Sequence, residues 1–574
     1  MGRFQIWLIK PTRYDDDGYP LQWWRSIIPS NSLACLTGIV NDAIARGVLG
    51  EAGADVHAID EIHDHVDPAR IVRDIVRHGG RGLIALVGVQ TNQYPRALDL
   101  AAEFRRAGLP VAIGGFHVSG CISMLKQLTP ELTEAQNIGV SLFAGEAEDG
   151  RIDEVLRDAV HGQMKPLYDH LKETPSLDGA PIPLMPLSQV SKNMSHYSSF
   201  DLGRGCPFEC SFCTIINVQG RKSRFRSADD LEAIVRANAA QGIDRFFVTD
   251  DNFARNRNWE AFCDRLIALR DAGLAVRLVL QVDTLAYQIP DFIDKCVAAG
   301  ADQIFIGLEN VNADSLEGAK KRQNRVEDYR AMFLAWKRHP VVITCGYIVG
   351  FPNDSYASIM QDIEILKDEL AVDTIYLNYL TPLPGSEDHR RLHEAGAWMD
   401  PDLTRYDLSH RVTHHPVMSD EEWERAYRDA HASFYSWDHM ERIIKRMIAL
   451  RSNKKFTTIN RLLAYREAVR LEGVAKLESG YVRIKRRRQR RPDLPREGAV
   501  SFYAGYLGHL AHSLGGSIVT YARLRLILYR ALRDPARFDY RDRAITPVDH
   551  GDLHLLSDTR STAHADRRRE QAAA

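Results

Sequence analysis

The sequence predicts an α/β protein that has an N-terminal doubly wound, Rossmann-like domain, a central partial (β/α)6 TIM-like barrel and a C-terminal α-helical region. Short apolar runs alternate with amphipathic stretches over residues 1–162 and again over 198–400, and the strand signal disappears after about residue 400. Strands that alternate with helices imply right-handed βαβ crossovers and parallel sheets. The 574 residues are too many for one ordinary core, because about 100–200 residues per domain is usual.

Five β/α units are predicted in the N-terminal domain. Their strands are FQIWLI, ADVHAID, GLIALVGVQ, PVAIGG and VSLFAGE. In such a sheet, ligands bind beyond the carboxyl ends of the strands. Residues 163–197 contain five prolines and are predicted to form a linker.

Six strands are predicted in the barrel: SFDLGRG, RFFVTDD, VRLVLQVD, QIFIGLEN, VVITCGYIVG and TIYLNYL. Their carboxyl ends would line the mouth of the barrel. Residues 401–555 are predicted to be helical, and the polar residues 556–574 to be a disordered tail.

Composition narrows the function classes. The formal net charge is -2, so the protein as a whole does not attract nucleic acid electrostatically, and no nucleic-acid partner is expected. The start, MGRFQIWLIK, is not typical of a secretory signal, and no run reaches the roughly 18 apolar residues of a membrane span. Of eight cysteines, three lie in one loop, which favours metal binding in a reducing, cytoplasmic compartment over a disulfide framework.

The candidate metal ligands are Cys206, Cys210 and Cys213 in the segment DLGRGCPFECSFC. Three thiolates in the pattern Cys-x3-Cys-x2-Cys can ligate three irons of a [4Fe–4S] cluster. The next cysteine, Cys263, lies in a helical pattern, so one iron would stay open for the amino and carboxylate groups of S-adenosylmethionine. A structural zinc loop is the alternative, but zinc sites usually close with four ligands.

The segment RGCPFECSFC resembles the radical S-adenosylmethionine (radical SAM) superfamily, in particular its cobalamin-binding branch, over roughly residues 1–400. The resemblance implies three cofactors: the cluster, S-adenosylmethionine and cobalamin. It also implies an external one-electron reductant such as flavodoxin or ferredoxin, and Phe212 is placed to shield the cluster and pack against adenine.

Three strand ends of the barrel resemble family positions that bind S-adenosylmethionine. They carry Thr249, Asp250 and Asp251; Glu309; and Gly350, Phe351 and Pro352. The usual signature at the first position is Gly-Gly-Glu, so TDD is a departure. A helix N-cap is the alternative role for the two aspartates, and Gly307 would permit close contact below Glu309.

Three strand ends of the N-terminal domain are the predicted cobalamin contacts. They carry Gln90, Thr91 and Asn92; Gly114, Gly115 and His117; and Gly145 and Glu146. The Asp-x-His-x-x-Gly signature, whose histidine binds cobalt, is absent. His117 is expected to be a hydrogen-bonding residue rather than a ligand, and a domain that has lost its cofactor is the alternative.

The resemblance predicts a cobalamin-dependent enzyme that methylates an unactivated carbon. One alternative is a cyclase, ring-rearranging or oxygenating enzyme with the same cofactors, and another is a corrinoid- or redox-sensing protein. The substrate is expected to be a small molecule or a lipid, with a peptide as an alternative, and peripheral membrane contact stays open.

Two segments of the C-terminal region stand out. The basic run 483–491 is expected to be a solvated helix end. The apolar stretch 500–532 is expected to form a core helix pair that covers the barrel, with a membrane-interface helix as the alternative.

Overall fold

The computed structural model describes residues 2–50, 53–125, 127–194 and 196–546. They form two compact units, which are described separately. The first unit comprises the described residues of Met1–Leu280, Thr381–Thr413 and Val474–Leu514. The second comprises those of Gln281–Leu380, His414–Gly473 and Gly515–Ala574. The predicted tail 556–574 lies outside the described residues, and the five-part domain division stays a prediction.

The N-terminal part of the first unit is an alternating β/α domain, as the sequence predicts. Its strands are β1 (Phe4–Lys10), β2 (Gln22–Ser26), β3 (Ala54–Asp60), β4 (Gly82–Leu86), β5 (Val111–Gly114), β6 (Ser141–Ala144) and β7 (Leu167–Asp169). Its helices are α1 (Asn31–Ala45), α2 (Pro68–Arg77), α3 (Tyr94–Arg106), α4 (Phe116–Met124), α5 (Pro130–Asn137) and α6 (Arg151–His161).

Six of these strands form one parallel sheet in the order β3-β1-β4-β5-β6-β7. This is the flavodoxin-like order of a doubly wound sheet, in which the strand order reverses between β1 and β4. Helices α2 to α5 share one hydrophobic core with the sheet, and α1 packs against α6. The loops that follow β1 and β4 therefore flank the crevice where such folds bind ligands.

The predicted linker contains a strand that the sequence analysis missed. Residues 167–169 pair with β6 and extend the sheet as β7. The strand has only three residues and lies between two prolines, so no period-two pattern marks it.

The rest of the first unit before residue 281 holds the cysteine loop. Its elements are α7 (Leu187–Val190), β8 (Tyr197–Phe200), β9 (Gly203–Arg204), α8 (Ile215–Val218), β10 (Arg224–Phe225), α9 (Ala228–Ala239), β11 (Arg245–Val248), α10 (Trp259–Asp271) and β12 (Arg277–Val282). Strand β11 pairs in parallel with both β8 and β12.

The second unit contains the other three predicted barrel strands. Its elements up to residue 380 are α11 (Phe292–Ala298), β13 (Ala301–Glu309), α12 (Ala313–Gly318), α13 (Tyr329–Lys337), β14 (Val342–Val349), α14 (Tyr356–Asp368) and β15 (Thr374–Tyr379). Strand β14 pairs in parallel with β13 and β15, and every residue of β14 is buried. The α/β class predicted from the sequence is thus confirmed.

The C-terminal region is mainly helical. Helix α15 (Glu387–Glu394) belongs to the first unit, and α16 (Asp420–Phe434), α17 (Trp437–Ala449) and α18 (Lys455–Glu472) belong to the second. The first unit also contains β16 (Gly480–Ile484), which pairs antiparallel with β2. The expectation that strands are absent after residue 400 is therefore wrong, because β16 has a partner that is distant in sequence.

The basic run is not a solvated helix end, and that expectation is also wrong. Arg483 is 3% exposed and forms an ion pair of 2.7 Å with Asp15. Lys485 contacts both Asp15 and Asp17. The pairing of β16 with β2 brings the run to the acidic loop after β1, which compensates its charge.

The apolar stretch 500–532 forms one helix, α19 (Ala499–Arg533), rather than a helix pair. It buries Phe502, Leu524 and Leu528 but exposes nine other apolar or aromatic side chains: Val500, Tyr503, Leu507, Leu514, Ile518, Val519, Tyr521, Leu526 and Tyr529. Among the described residues, no helix combines the length and the apolar character that a membrane span requires.

Candidate active site

The cysteine loop lies between the two strands of a short ribbon. Strands β9 and β10 pair antiparallel, with Arg204 opposite Arg224. The loop leaves β9 at Gly205, makes a turn in which the amide of Cys213 donates to the carbonyl of Cys210 at 3.1 Å, and continues into α8. The ribbon therefore holds both ends of the loop at one place.

Gly205 is required where the loop begins. Its φ is +88°, and a Cβ there would lie 2.6 Å from the carbonyl oxygen of Lys222. The positive φ is costly for other residues, and the close approach leaves no room for a side chain.

The three cysteines supply three thiols. Cys210 is buried, and Cys206 and Cys213 are half-buried. Burial raises the pKa of the Cys213 thiol to about 12, the amide of Ile215 opposes that shift, and the charges of Cys210 and Cys206 add to it. The donor set fits an iron–sulfur cluster, because thiolates at such a site need a cation to hold them.

Arg204, immediately before the loop, binds three carboxylates. Its guanidinium donates to Asp201 at 3.0 Å, to Glu146 at 2.6 Å and to Glu148 at 2.7 Å. Burial alone would lower the pKa of Arg204, but the three carboxylates hold it well above its usual value. A buried arginine with several carboxylate partners gives fixed geometry as well as charge compensation.

Glu146 connects the ribbon to the N-terminal sheet. Its carboxylate binds Arg224 of β10 as well as Arg204 of β9. Arg224 also donates to the carbonyls of Pro175 and Gln219, both within 3.0 Å. The ribbon is therefore attached to the loop that follows β6 of the Rossmann-like sheet.

Asp250 holds the carboxyl ends of β8 and β11 together. The amide of Leu202 donates to one carboxylate oxygen at 2.6 Å, and the side chain of Asn256 donates to the other at 2.9 Å. Burial raises the pKa of Asp250 to about 7, although both hydrogen bonds lower it. Both oxygens thus have partners within the protein.

Asp251 contacts the start of the cysteine loop, and Thr249 lies two residues before Asp251 in the chain. Asp251 accepts a hydrogen bond of 2.7 Å from the amide of Gly205, and burial raises its pKa to about 7. The hydroxyl of Thr249 is buried and forms no hydrogen bond within the described residues. A buried hydroxyl without a partner normally has an additional ligand or water, which fits a polar molecule bound beside the loop.

A segment after β15 supports the far side of the cysteine loop. The hydroxyl of Ser211 donates to Asp388, and the amide of Asp388 donates back to the carbonyl of Ser211. The side chain of Asn217 donates to the carbonyl of Gly385 at 2.8 Å. These bonds fix the loop between the ribbon and α15.

The predicted cobalamin contacts Thr91, Asn92 and His117 already have protein partners. Thr91 Oγ1 lies 3.3 Å from His117 Nδ1, and the side chain of Asn92 donates to Glu478 at 2.6 Å. Gln90 is exposed. At the ends of β4 and β5, a bound corrinoid would therefore meet the backbone and Gln90 more readily than the side chains of Thr91, Asn92 and His117.

His117 also belongs to a possible metal-binding group. One ligand atom each of His117, Cys121 and Glu131 lies within 4.8 Å of the other two. The pKa of Glu131, which burial would raise, is lowered by its contacts with His117 and Thr129. This arrangement turns His117 toward α5, in agreement with the expectation that it forms contacts within the protein.

Gly115 and Gly145 are explained by the fold itself. A Cβ on Gly115, whose φ is +150°, would lie 2.2 Å from the amide nitrogen of Val89. A Cβ on Gly145, whose φ is +105°, would lie 2.8 Å from the carbonyl oxygen of His170. Gly114 packs against Phe143. These glycines keep the strand-end loops close to one another.

Lys10 lies at the reversal of strand order and was missed by the sequence analysis. It is the last residue of β1, and its amino group contacts the side chain of Gln93. Burial lowers the pKa of Lys10 to about 8, although the nearby Asp60, Glu478 and Glu61 raise it. A lone lysine at a strand end carries no motif that would identify it in the sequence.

In the second unit, Glu309 ends β13 at a bulge. Its φ is +65°, and its carboxylate accepts a hydrogen bond of 2.6 Å from Lys321. A Cβ on Gly307 would lie 2.7 Å from Glu309 Oε1, and a Cβ on Gly346 would lie 3.4 Å from Oε2. The carboxylate thus lies over two glycines, as the sequence predicts for Gly307, and the positive φ is typical of functional positions.

The turn after β14 is held by Asp354. Its carboxylate accepts hydrogen bonds from the amides of Gly350 and Phe351 at 3.0 and 2.9 Å. Gly350 has a φ of +100°, and a Cβ there would lie 2.2 Å from the indole nitrogen of Trp423. The turn that also contains Pro352 is therefore fixed by Asp354, and at Gly350 it packs directly against the indole of Trp423.

Comparison with known proteins agrees with this geometry. The profile of the Radical SAM superfamily matches residues 201–366, which include all three loop cysteines, the TDD segment, Glu309 and the Gly350 turn. The chain carries a radical SAM domain.

The radical SAM domain and its surroundings also have a curated relative. Bacteriochlorophyllide d C-8(2)-methyltransferase from Chlorobaculum tepidum is 24% identical over 384 residues, which cover 64% of this chain and 80% of that protein.

Two solved structures share the fold. The radical S-adenosylmethionine methyltransferase TsrM from Kitasatospora setae, with cobalamin and a [4Fe–4S] cluster bound, has a TM-score of 0.52 at 15% identity and covers 74% of this chain and 82% of that chain. The cobalamin-dependent S-adenosylmethionine radical enzyme OxsB, with aqua-cobalamin and S-adenosylmethionine bound, has a TM-score of 0.54 at 13% identity and covers 98% of this chain and 84% of that chain.

Within the first unit, the predicted residues of the radical SAM domain lie close to one another. Asp251 contacts the residue before Cys206, and Glu146 binds the strands on both sides of the loop. Phe212 lies in the loop, half-buried. Glu309 and the Gly350 turn are in the second unit and are described there. The sequence analysis missed Arg204 and Glu148. The arginine two residues before the first cysteine is the signal that could have indicated an ion pair at the loop.

Proposed function

We propose that this protein is a cobalamin-dependent radical SAM enzyme that methylates an unactivated carbon. One observation carries the proposal: Arg204 and Arg224 attach the three-cysteine loop of a radical SAM domain to the Glu146 loop of a domain with the flavodoxin-like strand order. Radical and corrinoid chemistry on one substrate need such a fixed relation between two sites, because reacting groups must be held in a productive geometry.

The residues of the chain have separate tasks in this proposal. Cys206, Cys210 and Cys213 hold the iron–sulfur cluster, and Gly205 with the ribbon β9–β10 sets the shape of their loop. When bound, the cluster supplies the single electron that breaks a carbon–sulfur bond of S-adenosylmethionine. The residues position that molecule and exclude water, and the cofactors carry the difficult chemistry.

Four groups of the protein are proposed to bind S-adenosylmethionine. In the first unit they are the carboxylate of Asp251, beside the loop, and the hydroxyl of Thr249, which has no hydrogen-bond partner among the described residues. In the second unit they are the carboxylate of Glu309 and the turn at Gly350, each proposed from its own geometry. Asp250, whose two oxygens are engaged, acts as a positioning residue.

Cobalamin binding is proposed at the carboxyl ends of β4, β5 and β6. The strand order and the relatives support it, and the glycines at 114, 115 and 145 leave only backbone at two of these ends. His117 is not proposed as a cobalt ligand, since its ring contacts Thr91 and Glu131. A flavodoxin- or ferredoxin-type reductant and a reducing, cytoplasmic environment complete the proposal.

The test is anaerobic reconstitution with iron and sulfide, followed by assay of S-adenosylmethionine cleavage with a chemical reductant, with and without methylcobalamin. S-Adenosylhomocysteine together with 5′-deoxyadenosine among the products supports methyl transfer. 5′-Deoxyadenosine alone supports the cyclase-type or oxygenating alternative. Cobalamin binding without any cleavage would overturn the enzyme assignment in favour of a sensor.

Single replacements by Ala of Cys206, Cys210 and Cys213 should abolish both iron binding and cleavage. Cys263→Ala is the matched control, because Cys263 is a buried thiol on α10. Full activity in any of the three loop variants would contradict the role of the loop.

A further inference from the structure

The part of α19 in the second unit exposes four large apolar or aromatic side chains. Ile518 and Val519 are 67% and 66% exposed, and Leu526 and Tyr529 are 46% and 50% exposed. Because successive helical residues are 100° apart, these four side chains share one side of the helix. An exposed apolar surface of this kind marks an interaction site in a folded protein.

The opposite side of the same segment is fixed to the protein. Thr520, Leu524, Leu528 and Ala531 are all buried, and the hydroxyl of Thr520 donates to Glu467 of α18 at 2.8 Å. The segment therefore presents only one side to a partner, and this side runs along the helix axis.

Four arginines lie beside the apolar side or, for Arg533, at its C-terminal end, and α19 contains no acidic residue. They are Arg523, Arg525, Arg530 and Arg533. Their guanidinium groups lie over aromatic rings: Arg523 is 3.9 Å from the ring centre of Trp437, Arg525 is 4.9 Å from that of Phe456, and Arg533 is 4.3 Å from that of Tyr529. This mixture of apolar centre, basic edge and tyrosines is typical of helices that lie in a membrane interface.

The part of α19 in the first unit has the same character. Val500, Tyr503, Leu507 and Leu514 are between 41% and 85% exposed. From Ala499 to Ala522 the helix contains no Asp, Glu, Lys or Arg. Apolar exposure thus occurs in both parts of the helix, whereas the charge is confined to its last three turns.

We infer that the exposed side of α19 binds the surface of an anionic lipid bilayer. The apolar side chains enter the boundary between headgroups and acyl chains, and the four arginines pair with anionic headgroups. A second copy of the chain is a poorer occupant, because a two-fold contact through this side would bring the same arginines together. Membrane binding gives the proposed methylation access to substrates that are dissolved in the bilayer.

The test is co-sedimentation of the full-length protein with phosphatidylcholine vesicles that contain or lack phosphatidylglycerol. We expect the protein to bind the anionic vesicles, and to bind the neutral vesicles about tenfold more weakly. Binding to the anionic vesicles should weaken at high salt. Ile518→Glu/Val519→Glu should reduce binding to anionic vesicles by at least about tenfold, since it removes two apolar side chains and adds repulsion. Arg530→Gln/Arg533→Gln should reduce the binding and flatten its salt dependence.

The matched control is Val76→Glu/Val417→Glu, which adds the same two charges at valines that are 65% and 62% exposed elsewhere. It should bind like the wild type. Equal binding by both double Glu variants would overturn the inference. It would also be overturned if the wild type bound no vesicles but formed a dimer in solution that Ile518→Glu/Val519→Glu dissociates. Circular dichroism confirms that each variant is folded. Because the readout does not involve S-adenosylmethionine, failure here and failure of the proposed reaction are distinguishable.

Discussion

The carboxylate of Glu146 faces the guanidinium of Arg224 with both oxygens, at 2.5 and 3.0 Å. Glu146 follows β6 of the N-terminal sheet, and Arg224 lies on β10, which closes the cysteine loop. The side chains are 7% and 12% exposed, so the pair is shielded from solvent. Glu146, together with Glu148 on Arg204, therefore fixes the position of the loop relative to the sheet.

The first prediction concerns this pair. Glu146→Gln should lower the free energy of unfolding by about 3–5 kcal/mol, since it leaves Arg224 without its counter-charge and removes one of the three carboxylates of Arg204. It should also lower the iron retained per chain after reconstitution. Urea unfolding and iron analysis measure the two effects, with the exposed Glu103→Gln as the control. An unchanged stability and iron content would show that the pair does not position the loop.

The second prediction compares two glycines with positive φ. Gly205→Ala and Gly242→Ala should each lose about 1 kcal/mol of stability from backbone strain. Only Gly205→Ala should also lose bound iron, because a Cβ there meets Lys222 at 2.6 Å, whereas at Gly242 nothing lies within 4 Å. Iron content and thermal unfolding of both variants test this. Equal iron content in the two would contradict a specific role for Gly205 in the loop.

The third prediction concerns Glu309. Glu309→Gln should raise the KM for S-adenosylmethionine about ten- to hundredfold, because a hydrogen bond to a charged group contributes about 1.5–3 kcal/mol. Iron content should not change. Steady-state cleavage kinetics provide the measurement, and Glu317→Gln on the exposed surface of α12 is the control. A loss of stability with an unchanged KM would instead assign Glu309 to its ion pair with Lys321.

The fourth prediction concerns pH. Burial raises the pKa of Asp354 to about 6, against the opposing hydrogen bonds from Phe351, Gly350 and Ser315. Between about pH 4 and 6 the native state keeps a proton that the unfolded chain has released, so the contribution of Asp354 to stability falls as pH rises through this range. The total change is roughly 3 kcal/mol.

Asp354→Asn should therefore gain stability relative to the wild type as pH rises from about 4 to 7. Urea unfolding of the apo-protein at several pH values measures the difference, and Asp539→Asn, at an exposed position, should show none. A difference that does not vary with pH would mean that Asp354 titrates at its ordinary value.

Local patterns were sufficient to predict most of the fold. The strand FQIWLI forms β1, and TIYLNYL forms β15, because both patterns depend only on neighbouring residues. Strand β16, GYVRI, could not be predicted in the same way. Its apolar and polar residues alternate only weakly, and it contains Arg483. It forms because β2 pairs with it, and a pairing between strands so distant in sequence leaves no local sequence pattern.

The candidate site was likewise predictable where it depends on neighbouring residues and unpredictable where it depends on distant ones. The cysteine loop was predictable, since its ligands lie within eight residues of one another. The ion pairs of Arg204 with Glu146 and Glu148 were not, because the partners are more than 50 residues apart and belong to different strand ends. Which backbone amide each carboxylate holds, Leu202 for Asp250 and Gly205 for Asp251, depends on tertiary hydrogen bonds that no sequence pattern encodes.

The pairing of β2 with β16 has a consequence for synthesis on the ribosome. Residues 22–26 leave the exit tunnel more than 450 residues before their partner strand, which amounts to roughly 20–90 s at ordinary elongation rates. During that time Trp23, which is 1% exposed in the finished fold, lacks the cover that Val474 and Glu478 later provide. Strand β2 therefore acquires its partner only long after the six-stranded N-terminal sheet has been translated, and Trp23 stays without this cover until residues 474–484 have been made.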